Sequence, residues 1–280
     1  MKKDFIITFI NYAFVFVCGV LLYKLAASGF GPVGFGEYAL SKRAVSFLQP
    51  ILQMGLSVGL VRYIAIAPGG PEGAARRASY VVSGFACITL FSLVLLGVLN
   101  LVPGAFGKLV FGGPGYVSYV RLVSLLAAAS IVNLLAFTYY RGKGSFVAAN
   151  ALMALAQGLL PLLSVAFARS PGQALALNAA GVFAVSAAFL APALAESLPK
   201  MSLADLVPSL RELLRYGTAR VPGDLSMAAM LALPAFLTAN MYGVKEAGYV
   251  AFGVTLVNIT GAMFGPIGFI MLPRLSSFLS

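Results

Sequence analysis

Long apolar runs alternate with short polar breaks along the chain, and this pattern predicts a polytopic membrane protein. A helix needs about 20 consecutive apolar residues to cross a bilayer whose hydrocarbon core is roughly 30 Å thick. The breaks, such as Pro68-Gly69-Gly70-Pro71, are rich in residues that favour turns. The pattern therefore predicts an all-α fold with about eight transmembrane helices, at residues 5–26, 38–66, 78–102, 116–140, 146–168, 173–195, 218–241 and 247–272.

The longest polar interval, residues 196–217, divides the chain. Four leucines between positions 206 and 214 fall on one face of a helix, while Arg211, Glu212 and Arg215 lie on other faces. This distribution predicts a short amphipathic helix on the cytoplasmic surface of the membrane. The resulting division has three parts: a first six-helix lobe at 1–198, a connector at 199–217, and the start of a second lobe, with two helices, at 218–280.

An internal repeat supports this division. Residues 212 positions apart match without a gap over a glycine-bearing turn and a long helix that ends in Leu-x-Arg. The matched pairs include Gly36 and Gly248, Ala39 and Ala251, Leu60 and Leu272, and Arg62 and Arg274. Many transporters build a central site between two repeated lobes. Since only two helices of the second copy precede the last residue, we expect the chain to be truncated after its eighth helix.

Composition and charge fit a membrane environment. Hydrophobic residues make up 60% of the chain and charged residues only 10%, whereas soluble domains average about 25% charged residues. With the N-terminus in the cytoplasm, most Lys and Arg residues fall on the inner side, as the positive-inside rule requires. This predicts a multi-pass protein of the cytoplasmic membrane. The net charge of +11 then requires no nucleic-acid partner, because topology and anionic lipids account for it.

Several kinds of chemistry are excluded by the residue inventory. The chain has no histidine, which removes imidazole metal sites and histidine-dependent nucleophilic catalysis. The two cysteines, Cys18 and Cys87, each lie inside an apolar run, where a small buried thiol is the simplest role. No loop is long enough to build an active site. We therefore expect neither an enzyme nor a cofactor or metal.

A polar stripe on the second predicted helix is the main candidate for a substrate cavity. Lys42, Ser46, Gln49 and Gln53 are spaced by four, three and four residues, so they share one narrow helical face. Charged residues within membrane spans usually face a cavity or a partner. The alternative is a helix–helix contact held by polar side chains. The neighbouring Arg43 either reaches the same cavity or extends to the outer interface.

A second group of polar residues occupies the cytoplasmic half of two helices related by the repeat. Asn11 and Tyr12 lie on the first helix, and Arg220 and Asp224 lie at or near the equivalent positions of the seventh. If the two lobes face each other, these residues line the cytoplasmic mouth of a cavity. Arg220 and Asp224 are also four residues apart, so a plain ion pair along one helix remains the alternative.

Two stretches resemble known transporters. They are Gly31-Pro32-Val33-Gly34-Phe35-Gly36-Glu37-Tyr38-Ala39-Leu40, and the segment Leu214-Arg215-Tyr216-Gly217 with Arg220-Val221-Pro222-Gly223-Asp224. Both resemble the polysaccharide transporters (Wzx-like oligosaccharide flippases) of the multidrug/oligosaccharidyl-lipid/polysaccharide (MOP, MATE-like) exporter superfamily. The resemblance implies two six-helix lobes around a cavity that opens alternately to either side. It also implies a substrate that is an oligosaccharide linked to a polyprenyl phosphate, and contact with membrane lipids.

Alternative functions remain within the same fold. An ion-coupled small-molecule exporter of the MATE type would need a buried carboxylate in the first lobe, where Asp4 and Glu37 lie only at helix ends. Asp224 keeps that reading open. An inactive half-transporter fragment is the other alternative, with a second half-transporter chain or glycan-assembly enzymes as partners. The cationic stripe favours an anionic, pyrophosphate-linked sugar, because phosphate oxygens accept charge-assisted hydrogen bonds.

Overall fold

The computed structural model describes residues 2–257, with side chains from residue 6 onward. Every regular element in this part of the chain is helical, so the predicted all-α fold is confirmed. The helices are α1 (Lys2–Gln53), α2 (Leu56–Ile66), α3 (Gly70–Leu101), α4 (Pro103–Phe111), α5 (Val117–Gly142), α6 (Phe146–Met153), a π-helix (Ala154–Leu159), α7 (Leu160–Phe167), α8 (Pro171–Ser197), a 3₁₀ turn (Leu198–Lys200), α9 (Leu203–Thr218) and α10 (Val221–Tyr242). The last helix within the described residues, α11, begins at residue 244 and is described as far as residue 257.

Within the described residues, six helical runs are long and apolar enough to cross a membrane. They are Ile6–Gln53, Gly70–Leu101, Val117–Gly142, Phe146–Phe167, Pro171–Lys200 and Val221–Tyr242. The first run covers the first predicted span and the N-terminal part of the second. The predicted eighth span, 247–272, lies partly outside the described residues.

Helix α1 consists of two arms that fold back on each other at Gly31. This glycine has φ 68° and ψ 176°, a conformation that glycine adopts readily because it has no Cβ. The rings of Tyr23 and Phe35 have centroids 6.0 Å apart, whereas twelve residues of straight helix would separate their backbones by about 18 Å. Residues 2–30 and 32–53 therefore form two packed arms, which correspond to the first two predicted spans.

The predicted second span, 38–66, is not continuous. Its helix begins at residue 32 and is interrupted after Gln53, where Met54 (φ 50°) and Gly55 (φ 66°) leave the helical conformation. Ser92 of α3 donates a hydrogen bond to the carbonyl of Leu52, at 3.3 Å, next to this break. Apolar residues continue on both sides of the interruption, which is why hydropathy alone predicts a single helix.

The predicted amphipathic segment corresponds to α9, which docks against α2 and α3. Leu213 is fully buried and lies with Leu60 over Gly84, where a Cβ would meet both leucine side chains. On the more polar face, Glu212 accepts hydrogen bonds from the Tyr80 hydroxyl and from Arg76. We call the side of the molecule that carries α9 the α9 side. It also carries the ion pair of Lys143 with Glu196, at 2.7 Å.

Helix α11 packs against the second arm of α1 through residues related by the sequence repeat. The backbones of Gly36 and Gly248 touch, since a Cβ on Gly248 would lie 2.6 Å from the Cα of Gly36. Arg43 donates a hydrogen bond to Thr255, its equivalent 212 positions later, at 2.7 Å. The repeat pairs of Leu60 and of Arg62 involve residues outside the described part of the chain.

Candidate functional site

Two adjoining cavities lie beside the second arm of α1. The first, which we call the apolar groove, has a volume of about 380 Å³ and runs between the two arms and the π-helix segment. The second, the polar pocket, has a volume of about 270 Å³ and is enclosed by the second arm, α5, the π-helix and α8. Phe9, Phe16, Leu22, Met153 and Pro161 are among the groove residues, and Gln49, Ser130, Asn133 and Asn178 are among those of the pocket.

Lys42 stands at the junction of the two cavities. Together with Ser46 and Gln157 it lines both of them, so the groove and the pocket are continuous at this point. Among the described residues, no carboxylate lies within ion-pair distance of the Lys42 ammonium, and the side chain makes no hydrogen bond. An ammonium removed from water without a counterion is costly. The junction is therefore suited to bind an anion.

Arg43 lines the groove but is tied to the opposite helix. Arg43 is buried, with 8% of its surface exposed. Its Nη2 donates hydrogen bonds to the carbonyl of Ala251 at 3.1 Å and to the hydroxyl of Thr255 at 2.7 Å. The Tyr23 and Thr255 hydroxyls are 3.3 Å apart. Arg43 thus joins the second arm of α1 to α11 and places a positive charge in the groove wall, while Tyr23 joins the first arm to α11 through Thr255.

Gln157 reaches both cavities from the π-helix. A π-helix is rare and occurs frequently at functional sites, and here it sets this amide opposite the polar stripe of the second arm. Helical periodicity does not identify this residue as part of a cavity. The sequence feature that distinguishes it is that Gln157 is the one glutamine within the predicted span 146–168.

Some of the predicted site residues line a cavity, and the others do not. Those that line a cavity are Tyr12, Lys42, Arg43, Ser46 and Gln49. Gln53 lines neither cavity, because it lies at the break that ends α1. Asn11 is buried and donates a hydrogen bond to Asn150, at 3.3 Å. Arg220, the N-cap of α10, forms an ion pair with Asp224 at 3.8 Å, and neither residue lines a cavity.

The asparagines within the helices differ in their hydrogen bonding. Asn133 donates a hydrogen bond from α5 to Ser186 on α8, at 3.1 Å, and Asn240 donates to the carbonyl of Leu109, at 3.0 Å. Asn178 differs, since it is fully buried and neither of its amide atoms has a hydrogen-bond partner in the described structure.

A polytopic helical protein with an internal cavity that carries an unpaired positive charge has the architecture of a membrane transporter. The chain is 31% identical over 149 residues to the lipid III flippases of Escherichia coli (strain K12) and Shigella flexneri. The matched region is 52% of this chain and 34% of each relative, so the chain spans about a third of the length of these curated relatives. This similarity confirms the predicted resemblance to a flippase of the MOP superfamily.

No protein-family model matches the chain. No solved structure matches it either.

Proposed function

We propose that this chain forms the first lobe, and the adjoining helices of the second lobe, of a flippase that moves a polyprenyl-linked oligosaccharide across the cytoplasmic membrane by alternating access. The observation that carries the proposal is the change from an apolar to a polar cavity at Lys42. The similarity to proteins named lipid III flippase supports the same class of substrate. We further infer that the protein is a transporter and not an enzyme.

The apolar groove suits the hydrocarbon part of such a substrate. Its residues on the first arm extend from Phe9 to Tyr23, which corresponds to about 21 Å along a helix. Phe9, Phe16 and Leu22 present apolar surface along this length. A polyprenyl chain would lie against these apolar side chains, and its phosphate end would reach the junction of the cavities.

Lys42 suits the phosphate. An ammonium forms charge-assisted hydrogen bonds with phosphate oxygens, and these are about twice as strong as neutral ones. Because no described carboxylate competes for the ammonium, a bound anion would supply its counterion. Ionisable residues within membrane spans commonly mark substrate pathways. Among the described residues, none that lines the two cavities is acidic, which disfavours a cation-coupled exporter that binds its ion there.

Replacement of Lys42 by glutamine tests the proposal. Loss of a charge-assisted hydrogen bond, worth about 1.5–3 kcal/mol, should lower the transport rate at low substrate concentration by roughly 10- to 100-fold. The measurement is translocation of a fluorescent polyprenyl-pyrophosphate-linked sugar in proteoliposomes that contain the full chain.

The control variant is Lys24→Gln, since Lys24 is exposed on the first arm and lines neither cavity. It should transport at the wild-type rate. Equal transport by Lys42→Gln and wild type, at matched protein levels, would refute the role of Lys42 and with it the proposed site.

A further inference from the structure

The polar pocket lies inside the bundle of the first lobe, to one side of the apolar groove. The second arm of α1, α5, the π-helix and α8 enclose it, and it opens to the groove at Lys42. Its walls carry three amides beyond this junction, from Gln49, Asn133 and Asn178, together with the hydroxyl of Ser130. Apart from Lys42, no described residue of the lining is charged. A ligand that enters beyond Lys42 would therefore be neutral and rich in hydrogen-bonding groups.

Asn178 gives a second, independent indication of a ligand. It is fully buried on α8, and both its Nδ2 and its Oδ1 lack a partner among the described residues. Buried polar groups are nearly always paired, and an exception calls for an explanation. In contrast, Asn133 on the facing helix is paired with Ser186. Among the described residues, Asn178 is the only one with a fully buried side-chain amide whose two polar atoms lack a partner. An amide with a free donor and a free acceptor suits a ligand group that can accept and donate at once.

We propose that the polar pocket is a subsite for the first sugar of the substrate, and that Asn178 is a specificity-determining residue that binds its hydroxyl or acetamido groups. The inference rests on the proposed function, because Lys42 at the mouth of the pocket would hold the phosphate to which that sugar is attached. Both kinds of sugar substituent offer a donor and an acceptor in one group, which matches the Asn178 amide. The pocket extends directly from the phosphate position, as the covalent linkage requires.

The size of the pocket limits what it holds. Its volume of about 270 Å³ is slightly below the roughly 300 Å³ at which pockets for drug-sized ligands begin. One sugar ring fits this space, whereas a chain of several sugars does not. The remaining sugars of an oligosaccharide would extend through the junction into the wider groove. This subsite would therefore contact only the sugar ring that is attached to the lipid carrier.

Asn178→Leu tests the subsite, because leucine has a similar shape and no polar atoms. Replacing an unpaired buried amide by an apolar side chain should not lower the thermal unfolding temperature. The purified full chain is titrated with polyprenyl pyrophosphate and with the same lipid bearing one N-acetylhexosamine. We expect the variant to bind the glycosylated lipid about tenfold more weakly, as for the loss of one pair of hydrogen bonds, and the bare lipid with unchanged affinity. Asn100→Leu, on the exposed face of α3, is the matched control.

The outcomes separate the subsite from the proposed function. Unchanged affinity for both lipids, or an equal loss for both, would overturn the subsite and leave the proposed function in place. A wild-type chain that binds neither lipid would overturn both. If Asn178→Leu fails to fold, Gln49→Leu on the second arm of α1 provides the same comparison, and a sugar-specific loss is again the expected result.

Discussion

At the residue scale, the contact between Arg43 and Thr255 shows how one side chain can serve two purposes. The Arg43 guanidinium is largely buried and has hydrogen bonds to a backbone carbonyl and a hydroxyl of α11. Its charge still contributes to the wall of the apolar groove. The sequence offered two positions for this side chain, in the cavity or at the outer interface; in the structure Arg43 lines the groove and binds α11.

Thr255→Val is expected to destabilise the protein. The substitution keeps the shape of the side chain but removes the hydroxyl that accepts from Arg43 and lies next to Tyr23. Leaving a buried charged donor without this partner should cost about 1–3 kcal/mol. The measurement is the thermal unfolding midpoint in detergent. Thr238→Val is the matched control, because the Thr238 hydroxyl donates only within its own helix, to the Pro234 carbonyl. Equal midpoints for the two variants would contradict the prediction.

At the element scale, the crossing of α11 over the second arm of α1 depends on two glycines. Gly36 and Gly248 allow the two backbones to touch, and neither position has room for a side chain. Small residues at helix crossings permit this close approach in membrane proteins. The repeat places these glycines in equivalent positions, so the same feature of the sequence occurs on both sides of the crossing.

Gly248→Ala should force the two helices apart. The added Cβ would lie 2.6 Å from the Cα of Gly36, and backbone atoms cannot yield as a flexible side chain would. Overpacking of this kind typically costs about 1–3 kcal/mol, which thermal unfolding would detect. Gly253→Ala on the same helix has nothing within 4 Å of its new Cβ. It should be neutral or slightly stabilising, since alanine favours helix over glycine by roughly 1 kcal/mol. An unaffected Gly248→Ala variant would show that the crossing is looser than described.

At the scale of the whole molecule, the distribution of charge predicts the orientation in the membrane. The α9 side carries Arg76, Lys143 and Lys200, each paired with Glu212 or Glu196. With the N-terminus in the cytoplasm, the predicted spans place all three of these residues on the inner side, as the positive-inside rule requires. Their grouping on one side supports that assignment, while the orientation itself stays a prediction.

Cysteine labelling tests the orientation with a matched pair of loop residues. Ser145 precedes α6 and Ser170 precedes α8, so one membrane-crossing helical segment separates them. With the two native cysteines replaced by alanine, Ser170→Cys should react with a membrane-impermeant maleimide in intact cells. Ser145→Cys should react only after permeabilisation. The reverse pattern would place the α9 side, and the N-terminus, outside the cytoplasm.

Much of the site could be predicted, because the information is local. Lys42, Ser46 and Gln49 follow a helical period, and helical geometry alone places them on one face. Gln53 belongs to the same period but lies at the break before Met54, which no periodicity reveals. The unpaired state of Asn178 and the position of Gln157 were also beyond local reasoning. Each depends on which side chains from other helices stand opposite.

The sequence by itself determined the class of protein, the membrane-spanning helices, the amphipathic α9 and the repeat at 212 residues, because apolar length and periodicity are set by residues close together in the chain. Only the tertiary structure decided that Arg43 is held by α11, that Gly36 and Gly248 touch, and that an apolar groove and a polar pocket meet at Lys42. These features arise where helices distant in sequence pack together. The cavities are bounded by up to four such segments at once, so their shape and polarity exist only in the folded chain.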